Sequence, residues 1–222
     1  MGETKPVTKP VIEIDQGTTE SPSTTQSCLS TTKSKTKTFL KLNLGCGKNP
    51  KPGYVNVDKY DNPDVLHDLE TFPWPWKDNS VNEIQLIHVL EHLGERKEAF
   101  LNIIKELYRI CVASATIHIV VPHPRHDDFI NDPTHVRVIT PKILDLFSKS
   151  KNRKSIKRGD ADSPLALYLD VDFEIIKVDY TLVPYWIEKL ANKEIAEAEL
   201  YNAIARYNNV IGEIRMVLKV LK

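Results

Sequence analysis

Seven consecutive residues, Ala115-Thr116-Ile117-His118-Ile119-Val120-Val121, form a β-branched and nearly uninterrupted apolar run that Pro122 ends. Such a run is expected of a central strand covered on both faces. Just before it, over 95–112, Phe100, Ile103, Ile104, Leu107 and Cys111 recur at helical spacing with charged residues between them. One face of that helix is therefore apolar and the other charged. A helix that delivers the chain into a buried strand is the repeating step of an α/β sheet.

Further strand-like stretches fall at 39–44, 54–58, 64–67, 81–88, 173–182 and 214–221. Pro141 suits the first turn of a helix over 142–148, with Thr140 as its N-cap. The Lys- and Arg-rich stretch 149–164 reads as an exposed loop, and 186–207 as one helix. Strands alternating with helices predict a mainly parallel sheet sandwiched between helices. Ligands bind such sheets at the carboxyl ends of the strands, where the strand order reverses.

The chain has 222 residues, 41% hydrophobic and 27% charged, enough for one compact domain. Residues 1–37 are dominated by Thr, Ser, Lys and Pro and read as a disordered tail, its Lys33, Lys35 and Lys37 cluster as solvated. The domain is then 38–222. Thirty Lys and Arg balance thirty Asp and Glu, so no global field favours nucleic acid or an anionic membrane. Cys28, Cys46 and Cys111 lack the spacing of a zinc ribbon or disulfide scaffold and suit a reducing cytoplasm. No apolar run is long enough for a membrane span, and none resembles a signal peptide.

Three strand ends carry candidate chemistry. The first strand ends in Leu42-Asn43-Leu44-Gly45-Cys46-Gly47, where two glycines let the backbone turn sharply and approach a ligand, although such a turn is also ordinary loop geometry. The next ends at Asp58, followed by Lys59; its carboxylate can accept from both ribose hydroxyls of an adenosine ligand, or simply cap a turn. A third supplies Asp68-Leu69, an acceptor for the adenine amino group and an apolar contact for the ring.

With these motifs, the sequence from about Phe39 onward resembles the class I S-adenosylmethionine-dependent methyltransferases. Glycine loop, ribose acid, adenine acid and the stretch Phe72-Pro73-Trp74-Pro75-Trp76 occur in the family's order. His88-Val89-Leu90-Glu91-His92-Leu93 resembles the segment after the family's fourth strand, and Asp132-Pro133-Thr134-His135-Val136-Arg137 one after the fifth. The resemblance implies a Rossmann-like, doubly wound, seven-stranded sheet, mainly parallel with an antiparallel last strand. It also implies S-adenosyl-L-methionine as cofactor, held by Gly45, Cys46, Gly47, Asp58, Lys59, Asp68, Leu69 and His88. Asn43 stands where many members have an acid, and Asn49 where they have a third glycine. The first crossover, crowded by Pro50, Pro52 and Gly53, is expected to be a turn or short 3₁₀ segment.

The expected reaction is methyl transfer to oxygen or nitrogen of a small-molecule or sugar-containing acceptor, with His88 and His126 as candidate catalytic bases. A non-catalytic adenosyl-ligand binder or interaction module is the alternative. A third reading takes His88-x-x-Glu91-His92 as a zinc peptidase motif, which needs all five residues on one helix and a third ligand. A metal held by His123, His126, Asp127, Asp128 and His135 is conceivable, but no recognised spacing singles it out, and no metal is expected. These groups equally suit a hydrogen-bonded lid. The basic stretch 149–158 lacks aromatic residues to stack bases, so no nucleic-acid partner is inferred.

Overall fold

The computed structural model describes the strand Val11–Glu13 and residues 39–222. Eight strands form one sheet: β1 (Val11–Glu13), β2 (Leu40–Leu44), β3 (Val55–Asp58), β4 (Val65–Leu66), β5 (Val81–Ile87), β6 (Cys111–Pro122), β7 (Phe173–Leu182) and β8 (Ile211–Val220). Their spatial order is β1-β7-β8-β6-β5-β2-β3-β4. Neighbours from β6 through β5, β2 and β3 to β4 are parallel, whereas β8 runs antiparallel to both β6 and β7. From β2 onward this is the expected seven-stranded order, with its lone reversed last strand. The chain builds outward from β2 to β3 and β4, then returns to β2's other side with β5, so the order reverses at the carboxyl ends of β2 and β5.

One difference bears on the edge of this picture. Part of the segment expected to be a tail is an eighth strand, since β1 pairs antiparallel with β7, Ile12 opposite Tyr180. The rest of that segment, including Cys28 and the lysine cluster, lies outside the described residues. Among those described, no helix is long and apolar enough to cross a membrane.

Helix α1 (Lys97–Ile110) buries Phe100, Ile103, Ile104, Leu107 and Ile110 and passes directly into β6. Those side chains meet Leu42 and Leu44 of β2, Ile84 and Leu86 of β5, and Ile117 and Ile119 of β6 in one core. Each is worth about 1.5–3 kcal/mol when taken from water, so Ile103→Ala would cost about 2–4 kcal/mol. The opposite sheet face is polar rather than apolar. Paired rows bring Asn43 beside Gln85 and Gln85 beside His118, and the 45–54 crossover lies over that face without a helix, the Tyr54 hydroxyl donating to Glu83. The expectation that β6 is covered on both faces is met only in part at His118, which is partly buried.

The stretch 149–164 is not a loop. It contains α4 (Lys149–Arg158), capped by the Ser148 hydroxyl, which accepts from Lys151 N, and ended by Gly159 at φ +76°. Its inward contact is polar: the buried Asn152 amide donates to the Leu146 carbonyl at 3.0 Å and accepts from Ala166 N at 2.9 Å. Apolar periodicity does not register a helix that docks this way. The short helices α2 (Asp127–Ile130), α3 (Pro141–Asp145) and α5 (Leu165–Leu169) flank it in sequence, α3 with the expected Thr140 cap. The single helix expected at 186–207 is two, α6 (Pro184–Ala191) and α7 (Glu197–Arg206), separated at Asn192 and Lys193, the latter at φ +58°.

Candidate functional site

At the end of β2 the backbone turns left-handed at Gly45 (φ +66°) and Gly47 (φ +47°). A Cβ on Gly45 would lie 2.5 Å from Val89 Cγ2, so glycine there lets the ends of β2 and β5 close together. A Cβ on Gly47 would meet nothing within 4 Å. Its amide instead donates to Asp58 Oδ2 at 2.8 Å, and Asp58 Oδ1 accepts from Tyr60 N at 3.0 Å. The carboxylate is thus aimed by two backbone amides, and each oxygen retains a lone pair for a ligand hydroxyl.

A cleft of about 150 Å³ opens beside this turn, lined by Gly45, Asp58, Lys59, Asp68 and Leu69 from the expected set. His67, Val89, His92 and Leu93 complete it. Of these additions, Val89, His92 and Leu93 belong to the post-β5 motif, while His67 had no signal beyond its place before Asp68. Asp68 Oδ1 accepts from Glu70 N at 3.0 Å, which fixes that acid at the cleft edge. Cys46 and Gly47 face a neighbouring cavity of about 240 Å³ shared with Asn56, Asp61 and Asp64. Although larger, that second cavity draws on the β2 and β3 loops alone. The smaller cleft joins the ends of β2, β3, β4 and β5 and is the better ligand site.

Asn43 does not line the cleft. Its buried amide donates to the Asn49 carbonyl at 3.2 Å and to Asn56 Oδ1 at 2.9 Å, and Asn56 in turn binds Lys51 N and Asp64. Both departures from the family pattern, Asn43 and Asn49, are therefore members of one brace that shapes the helix-free crossover.

His88 sits at the carboxyl end of β5 at φ +55°, its amide donating to the Val120 carbonyl at 2.8 Å. Its ring bridges two acids, with Nε2 3.1 Å from Glu213 Oε1 and Nδ1 3.5 Å from Glu91 Oε1. The hydrogen bond to Glu213, then the negative charge of the nearby Glu91 carboxylate, push its pKa up to about 9 against the opposing cost of burial. Glu213, bonded to His88 and Arg215, is drawn down to about 2. At neutral pH His88 is a cation and has no free site to take a proton, so the base role expected of it does not suit this geometry. Nor is the peptidase arrangement formed: His88 ends a strand, only Leu90–His92 form a 3₁₀ turn, and no single helix carries the motif.

The loop after β6 is held by local contacts. His126 Nδ1 accepts from Asp128 N at 3.1 Å as the N-cap of α2, and His123 Nδ1 accepts from Arg125 N at 3.2 Å. Asp127 N donates to Asn209, and the Arg125 guanidinium donates to the Ala205 and Ile204 carbonyls. His123, His126, Asp127 and Asp128 therefore do not gather around a common point, as a metal site would require. They anchor a loop that borders the cleft side of the sheet.

No family model matches the sequence, and no curated protein matches it. The architecture is similar to S-adenosylmethionine-dependent methyltransferases of known structure. One from Archaeoglobus fulgidus is 19% identical, with a TM-score of 0.48 over 82% of this chain and 87% of that one. A putative S-adenosylmethionine-dependent methyltransferase from Listeria monocytogenes is 12% identical, with a TM-score of 0.46 over 83% and 92%. The 1,6-didemethyltoxoflavin-N1-methyltransferase of Burkholderia thailandensis, solved with bound 1,6-didemethyltoxoflavin and S-adenosylhomocysteine, is 9% identical, with a TM-score of 0.46 over 82% and 71%. At such distances the strand order and direction, rather than these likenesses, carry the reading of the fold.

Proposed function

We propose that the chain is an S-adenosylmethionine-dependent methyltransferase acting on oxygen or nitrogen of a small-molecule or sugar-containing acceptor. The observation that carries this reading is the convergence of Gly45, Asp58 and Asp68-Leu69, from three successive strand ends, on one cleft at the reversal of strand order. Asp58 would accept from the ribose hydroxyls and Asp68 from the adenine amino group, while Leu69, Val89 and Leu93 supply apolar contacts for the ring. When bound, S-adenosylmethionine supplies an electrophilic methyl group. The residues of this chain supply alignment and exclusion of water, which suffice for direct displacement by a reactive acceptor. The balanced charge and modest cleft favour a small acceptor over a polyanion. The buried, unpaired Cys46 and Cys111 suit the cytoplasm.

A non-catalytic adenosyl binder is favoured by one specific observation: His88 is a clamped cation and His126 is spent on a helix cap, so neither proposed base is free. Calorimetric titration with S-adenosylmethionine and S-adenosylhomocysteine tests the shared part of both readings. Wild type should bind both compounds, and Asp58→Ala should weaken binding about 100-fold through the loss of charged hydrogen bonds to the ribose. Undiminished binding in the variant, or none in wild type, would sink the cofactor assignment. Production of S-adenosylhomocysteine with a panel of hydroxyl and amine acceptors then separates enzyme from binder.

A further inference from the structure

Beside the cleft, three side chains that the adenosyl contacts do not require come together. Glu91 and His92 belong to the 3₁₀ turn after β5, and His135 to the segment after α2; one ligand-capable atom of each lies within 4.8 Å of the others. Ligands of one transition-metal ion, each about 2 Å from it, need only a small contraction from that spacing.

The acid is the decisive member. Glu91 is 1% exposed, and neither of its carboxylate oxygens has a hydrogen bond. Its closest cation, His88 Nδ1, is 3.5 Å from Oε1, long for a charge-assisted bond. A carboxylate buried with so little compensation is costly unless something else neutralises it.

Both imidazoles are already oriented for that purpose. Thr134 Oγ1 donates its proton to Asp132 Oδ1 at 2.6 Å, so His92 Nδ1, 2.9 Å from the same oxygen, is the donor to it. His135 Nδ1 lies 3.0 Å from the Phe129 carbonyl, which can only accept. In each neutral ring the proton is therefore on Nδ1 and the lone pair is on Nε2. Hydrogen bonds of this kind, from a ligand's second nitrogen to an outer acceptor, fix the tautomer and ring angle in metal sites. The rings pack with centroids 4.5 Å apart, and Asp132 Oδ2 is 3.8 Å from His135 Nε2, close enough to buttress an ion.

We infer that Glu91, His92 and His135 form a binding site for a divalent first-row transition metal such as zinc. Two imidazoles and a carboxylate suit such an ion, and three protein ligands leave a position for water or a ligand oxygen. The ion would neutralise Glu91 and tie the post-β5 turn to the 132–137 segment, already joined by the Val136 and Arg137 amides donating to the Glu91 carbonyl. His92 also lines the cleft, which places the ion at its rim.

The untagged chain, stripped with chelator and free of adenosyl compounds, would be titrated with Co²⁺ by absorbance and with Zn²⁺ by calorimetry. The expected result is one ion per chain with visible ligand-field bands. His92→Ala and His135→Ala should abolish the bands, and His118→Asn, remote on the sheet face, should retain them. Thr134→Val changes an exposed residue outside the ligand set, so it should fold normally, yet weaken binding about 10- to 100-fold. The inference is overturned if wild type takes up no stoichiometric ion, or if the bands survive in both folded histidine variants. Neither result depends on whether S-adenosylmethionine binds.

Discussion

The two ends of the sheet solve the same problem, the termini of parallel strands, in opposite ways. At the amino end, Arg109 uses all five of its donors: on both Glu106 oxygens, on Asp78, and on the Trp74 and Trp76 carbonyls. Lys222 spends its three on Asn79 and on the Arg109 and Cys111 carbonyls. At the amino end Asn82 Oδ1 is buried without a hydrogen bond, whereas at the carboxyl end His67 Nε2, Arg137 Nε and both Glu91 oxygens are, and His88 holds a left-handed backbone. A saturated network serves stability, whereas polar groups left unpaired among residues from several strands are what a ligand can satisfy.

If that division holds, the largest effect on folding comes from the amino end and leaves ligand affinity alone. Arg109→Ala strands Glu106, which is 2.6 Å from Trp74 N as well as paired to the arginine. Because Arg109 is partly exposed, solvent screening reduces the usual cost of breaking a buried pair to about 2–3 kcal/mol. Urea denaturation should register that loss, while the dissociation constant for S-adenosylhomocysteine stays within about twofold of wild type. A comparable loss of affinity would mean that the two ends are coupled.

Within the carboxyl end, two glycines sharpen the contrast. Gly45→Ala sets a methyl group 2.5 Å from Val89 Cγ2 at φ +66°, so steric overlap adds to backbone strain, for about 2–3 kcal/mol in all. Gly47→Ala adds a methyl group to open space at φ +47°, for about 1 kcal/mol of strain alone. Gly45→Ala, which wedges β2 away from β5, should also weaken adenosyl binding. Equal stability losses in the two variants would show that closure of the strand ends is not what Gly45 provides.

Legibility in the sequence follows the same physical line. Gly45, Asp58 and Asp68 were readable because each is a local signal, a residue type set at the end of a strand. The order of β2 to β8 followed from hydrophobic periodicity and the family resemblance. Helix α4 was missed because Asn152 docks it through hydrogen bonds, and the break between α6 and α7 because Lys193 is an unusual residue for a left-handed turn. Gathering Glu91 and His92 with His135 required the fold itself, since neither periodicity nor spacing encodes which loops meet. The state of His88 was hidden for the same reason: Glu213, its main partner, lies on β8.

The smallest effect concerns acid stability at the carboxyl end. His123 follows β6, its amide donating to the Gly212 carbonyl at 2.8 Å, and its ring is partly buried. Burial, aided by Arg125 and His126, pushes its pKa down from 6.5 to about 4. The folded chain therefore refuses a proton that the unfolded chain accepts, so stability declines as pH falls through the window from 6.5 to about 4. Above that window the group contributes no pH dependence. With allowance for solvent screening at a partly exposed ring, the loss attributable to His123 is about 1 kcal/mol. His123→Asn keeps an acceptor for the Arg125 amide without the titration. Carboxylates titrate alike in both proteins, so comparing the fall in unfolding free energy between pH 6.5 and 4.5 isolates this residue. The variant should lose less than wild type; an equal loss would mean that the His123 ring is hydrated, and that the loop after β6 opens to water at the end of the sheet where the cleft lies.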